Sequence, residues 1–172
     1  QTNNLPACSG NGPLFISRVI VDCYGIYVRS LRMWLESLPR SMKKGFLTWY
    51  WSHSILNPPK DGPAVILCPE LIRTVAPQVW WKSNNFVREA MKPNQDPHRL
   101  ILKMILLHEM GHHFFPCNFD RKVRLVLSEG LANWFTYCFL DYKERAVLHA
   151  LSQLQNKAYQ TYEGFLVFLY PD

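Results

Sequence analysis

Cysteine is sparse in this chain. The five cysteines (Cys8, Cys23, Cys68, Cys117 and Cys138) include no Cys-x-x-Cys pair, which argues against a zinc site built from cysteine. The odd count leaves at least one thiol free or intermolecular. Long apolar runs are also missing. The most apolar stretch, Leu100 to Leu107, is interrupted by Lys103 and falls far short of the roughly 18 residues a bilayer span requires, so a soluble chain with no membrane span is expected. Internal repeats and low-complexity segments are absent, which excludes solenoids and arrays. Basic residues exceed acidic ones for a net charge of +6, but they are scattered, and the groupings at Arg40–Lys44 and Arg121–Arg124 are brief. A solvated surface is expected rather than a nucleic-acid site. Gln1 stands where an initiator Met would, which reads as a processed start; secreted and cytoplasmic locations both stay open.

What is present fits a folded chain with one core. Of 172 residues, 48% are hydrophobic and 19% charged, and the length is too short for two ordinary domains. Residues 1–13 are turn-rich and read as an irregular arm. Tyr27, Leu31, Trp34, Leu35 and Leu38 predict an amphipathic helix over 24–38, ended by Pro39. Phe46–Trp51 and Ala64–Leu67 read as short strands, and Val87 with Met91 marks a short helix. Asp96-Pro97 pairs a capping side chain with a proline at the first helical position and opens a helix over 97–115, which Pro116 ends. A second helix over 120–140 carries Val123, Leu127, Leu131, Trp134 and Phe135, with Asn118 or Asp120 as its cap. A third helical stretch is expected from about Asp141 to Tyr162, and Phe165–Leu169 reads as strand-like.

The chemistry concentrates in His108-Glu109-Met110-Gly111-His112. Residues four apart on a helix share a face, so both imidazoles can reach one metal ion. Glu109, about 100° further round, can touch a water on that metal without ligating it. Two neutral imidazoles leave the ion electrophilic, and the carboxylate takes the proton from its water. The five-residue pattern alone arises by chance in roughly one such chain in a hundred, so it needs a second signal. That signal is Ser128-Glu129-Gly130-Leu131-Ala132-Asn133 on the next helix, which a turn at residues 116–120 would fold back antiparallel.

Together the two motifs resemble those of the gluzincins, the thermolysin-like branch of zinc peptidases, over about residues 64–138. The resemblance implies a compact α+β zincin-like fold, mostly helical, with a small sheet over an active-site helix and a glutamate helix in one catalytic domain spanning 1–172. It implies one zinc per chain held by His108, His112 and Glu129, with Glu109 as general base and Asn133 as outer partner of His108. Gly130 would let the glutamate helix approach closely. Pro63–Pro69 resembles the edge strand on which zincins align an extended peptide substrate. The layout is also similar to that of small metallopeptidases that cleave phage or stress repressors.

Other branches do not fit. Phe115 and Asn118 stand where metzincins need Gly and His, and no Gly-x-Met-Glu-Asn segment of the gluzincin aminopeptidases occurs. The transition-state histidine of thermolysin-like enzymes has no counterpart, since His149 lies too near. Tyr137, Tyr142, Tyr159 and Tyr162 are the candidates left for oxyanion stabilisation. His53 and His98 have no partner pattern, and His113 points away from the expected ligands. Peptide or protein is the expected substrate. Two rivals use the same ligands: an interaction or effector module with vestigial hydrolysis, in which a cysteine or His113 could be a fourth ligand, and hydrolysis of a non-peptide amide. Cys8 in the arm is expected to be a plain free or disulfide-bonded thiol rather than a zinc ligand that keeps the enzyme latent.

Overall fold

The computed structural model describes residues 14–17, 24–44, 62–82, 84–90, 97–115 and 121–168. The expected arm 1–13 with Cys8, the strand Phe46–Trp51, His53, the cap Asp96 and the turn 116–120 lie outside them. The fold is α+β and mostly helical. Strands β1 (Leu14–Ser17), β2 (Gly25–Val28) and β3 (Ala64–Leu67) form one small sheet. The helices are α1 (Leu31–Ser37), α2 (Pro69–Lys82), α3 (Asn85–Ala90), α4 (Pro97–Phe114), α5 (Arg121–Cys138) and α6 (Tyr142–Ser152), followed by a 3₁₀ helix over Lys157–Phe168. Among the described residues no helix is long and apolar enough to cross a membrane.

The strand order is β1-β3-β2, with β3 parallel to β1 and antiparallel to β2. The segment expected as an edge is therefore the central strand. Its unbroken Ala-Val-Ile-Leu run follows from that place, because all four residues are buried. Val65 and Leu67 face the main core with Ile72, Ile101, Met104 and Val147. Ala64 and Ile66 face α1 through Leu31 and Leu35 on the other side. Each fully buried Val or Ile here contributes about 1.5–3 kcal/mol of burial. The edge on the side of α4 is β2.

Three other expectations change. The 24–38 helix splits into β2 and α1, because Ser30 accepts the Met33 amide through its hydroxyl and starts a new helix there. The long helix at 141–162 stops at Ser152, and Phe165–Phe168 of the strand-like stretch belong to the 3₁₀ helix, Leu169 lying outside the described residues. Asp141 and Glu144 close a full capping box on α6. Glu144 also binds Lys103 at 2.7 and 2.8 Å, tying α6 to the middle of α4.

α4 runs through the middle of this assembly, and its periodicity sorts its side chains into neighbouring stripes. His108 and His112, one turn apart, face α5. Ile105, Glu109 and His113, also one turn apart, face β2. The contact with α5 is close enough that a Cβ on Gly111 would lie 2.6 Å from Ala132 Cα. Gly130, expected to allow that approach, faces the other way: a side chain there would meet Thr161 and Phe165 of the 3₁₀ helix.

Candidate metal centre

His108 Nε2 lies 3.1 Å from Glu129 Oε2, His112 Nε2 lies 3.5 Å from the same oxygen, and the two imidazole nitrogens are 3.1 Å apart. These three donors form a group able to hold a metal ion, and among the described residues it has no fourth member. The rings meet nearly at right angles, with centroids 4.7 Å apart. Two donors come from α4, one turn apart, and the third from α5 across the Gly111–Ala132 contact.

The far side of each imidazole is held as well. His108 Nδ1 lies 2.7 Å from Asn133 Oδ1, while Asn133 Nδ2 donates to the Tyr159 carbonyl at 2.6 Å. That second bond fixes which way the amide points, so its oxygen faces His108 and must accept. Nδ1 of His108 therefore carries a proton, and Nε2 is the nitrogen turned to Glu129 and His112. His112 Nδ1 rests 2.9 Å from Ser128 Oγ. The sequence reading missed Ser128. Its signal was available, since a hydroxyl immediately before Glu129 falls on the α5 face turned to α4.

The charge balance suits a cation. Burial opposes ionisation of Glu129, but hydrogen bonds from His108 and His112 outweigh it and hold the carboxyl at about 2. Burial likewise disfavours a charged His108, yet Glu129 and Glu109 together raise it above its ordinary value. A metal ion bound at His108 Nε2 would take the place of the proton that this nitrogen shares with Glu129. Glu109 is buried at 6% exposure, and that burial pushes its carboxyl above the usual carboxylate range. It belongs to no donor group; its carboxylate instead accepts the backbone N–H of Tyr27.

A cavity of about 290 Å³ meets the donor group at His108, while His112 and Glu129 do not line it. Met104, Ile105, Leu148 and Leu151 give it an apolar wall, and His108 and Glu109 also line it. Of the four tyrosines considered, Tyr159 alone lines this space, with its ring stacked on His108 at 5.4 Å. Tyr137 carries Arg145 over its ring, Tyr142 is exposed, and Tyr162 lies against His149. His149 pairs with Glu163 at 3.0 Å, away from the donors. His113 is engaged by the Tyr27 hydroxyl at 3.0 Å and is not a donor of the group. Compared with protein-family models, with characterised proteins and with solved structures, the chain matches none.

Proposed function

We propose that this chain is a zinc peptidase of gluzincin type with a zincin-like fold, holding one zinc through His108, His112 and Glu129. One observation carries the reading above the others. Ligands 2.0–2.1 Å from a tetrahedral zinc stand about 3.3–3.4 Å from one another, and the three donor separations are 3.1, 3.1 and 3.5 Å. Zinc bound there would supply Lewis acidity, lowering the pKa of a water to about 7 and polarising a carbonyl.

The rest of the chemistry belongs to the chain. Glu109, next to the donors and pushed up by burial, accepts a proton from the attacking water and returns it to the leaving amine. Asn133 and Ser128 hold the imidazoles in the orientation a ligand needs. Tyr159, which lines the cavity with its ring stacked on His108, is the tyrosine this reading assigns to meet developing negative charge. The cavity wall of Met104, Ile105, Leu148 and Leu151 would take an aliphatic side chain next to the scissile bond. Three donors without a fourth among the described residues favour an open coordination position over a closed scaffold site.

Two experiments test the reading. Zinc-loaded protein incubated with a mixture of unstructured peptides should generate new termini beside Leu, Ile or Met, read by mass spectrometry, and a chelator should stop it. Peptides left intact in both samples would overturn the peptidase reading. Asn133→Ala should weaken zinc binding by about 10- to 100-fold in competition with a chelating dye, the usual cost of losing an outer partner. Unchanged affinity would mean that Asn133 does not orient His108.

A further inference from the structure

We infer that Gly25 and Tyr27, on the open edge of β2, position the Glu109 carboxylate; the inference rests on the reading of Glu109 as general base. Cys68 N–H donates to the Tyr24 carbonyl at 3.0 Å, and the register pairs Gly25 with Leu67, Ile26 with Ile66 and Tyr27 with Val65. Hydrogen-bonded pairs alternate along an antiparallel ladder. Ile26 therefore spends its backbone groups on β3, while those of Gly25 and Tyr27 point away from it. The outward N–H of Tyr27 is the one Glu109 accepts.

The side-chain face of the same strand completes the device. Gly25 and Tyr27, two apart, project on one face of β2 and meet the Ile105–Glu109–His113 stripe of α4. Two strand residues advance about 6.7 Å and one helical repeat of four residues about 6 Å, so the two periods stay in step. At one end Gly25 passes so near α4 that a Cβ would lie 2.8 Å from Ile105 Cγ2 and 2.9 Å from Glu109 Oε1. At the other, the Tyr27 phenol, kept protonated by burial, bonds His113 Nδ1 at 3.0 Å with the rings edge to face. The strand is pinned at Tyr27 and bare at Gly25, and the carboxylate occupies the space between. A carboxylate held by a backbone N–H spends no side-chain freedom in finding its orientation. Neither residue touches the reacting atoms.

Backbone amide exchange tests this without reference to turnover. The Tyr27 amide should exchange at least ten-fold faster in Glu109→Ala than in the wild-type protein, while the Ile26 amide, bonded to β3, keeps its rate. Equal Tyr27 rates in the two proteins, or the same acceleration at Ile26, would overturn the assignment. In the zinc-loaded enzyme, Gly25→Ala should lower kcat for peptide cleavage by about 10- to 100-fold, with KM and zinc content unchanged, the scale expected for a misplaced group. Retained kcat, or a fall in kcat matched by lost zinc, would also overturn it. A protein that cleaves no peptide would still give the exchange difference, so failure of the catalytic reading and failure of this one are distinguishable.

Discussion

Glu109→Gln is expected to reduce peptide cleavage by about two to four orders of magnitude while zinc stays bound. The substitution is close to isosteric. A glutamine oxygen can still accept the Tyr27 N–H and still fill the buried site, so packing and strand position are kept. What is lost is the ability to take and return a proton. Glu109 is outside the donor group, so zinc content, measured on the same samples, should not move. Zinc lost together with activity would make Glu109 a ligand or a structural support instead. Activity retained within a few-fold would remove it from the mechanism.

Gly111→Ala is expected to damage fold and site together, although it puts a better helix former inside a helix. The propensity gain is about 1 kcal/mol. Against it stands a Cβ 2.6 Å from the Ala132 Cα, 3.1 Å from the Ala132 Cβ and 3.1 Å from its carbonyl oxygen. These are atoms of a helix and cannot swing aside as a side-chain tip would, and overpacking of this kind costs about 1–3 kcal/mol or more. Relief requires α4 and α5 to part by about 1 Å, well beyond the roughly 0.2 Å that a metal site tolerates in its ligand distances. Glu129 sits three residues from Ala132 on the helix that must move. Calorimetry should give a melting temperature lower by roughly 2–8 °C, and a chelator titration should give zinc affinity weakened at least ten-fold. A melting temperature at or above wild type with full affinity would show that the helices have room, and the close-approach argument would fall.

The site was more legible in the sequence than the sheet around it, and the reason is range. His108, Glu109 and His112 are placed by one helix, so spacing alone decides what they face. Glu129 and Asn133 are likewise one turn apart on α5, and they needed only the fold-back of that helix to reach the imidazoles. β2 was hidden because the apolar spacing from Tyr27 through Leu38 runs unbroken across Ser30, where the backbone changes from strand to helix. Whether Ala64–Leu67 is central or at an edge depends on β1 and β2 arriving from elsewhere in the chain, and no local pattern carries that. Gly25 falls within the stretch 24–38 expected as a helix and was not singled out there. Its role appears only once Glu109 and Ile105 stand against it. The apolar end of the chain reads as a strand by composition, but it packs on α5 as a 3₁₀ helix, with Phe165 over Gly130 and Thr161 bonded to the Val126 carbonyl.

The central claim is that His108, His112 and Glu129 hold one zinc ion, and elemental mass spectrometry of metal-replete protein tests it most directly. The wild-type chain should carry about one zinc, and Glu129→Ala should lose it or hold it far more weakly, since two imidazoles alone make an incomplete site. A wild-type protein that takes up no zinc under those conditions would contradict the account. The two histidines and the glutamate would then be a buried hydrogen-bonded cluster serving the fold rather than a reaction.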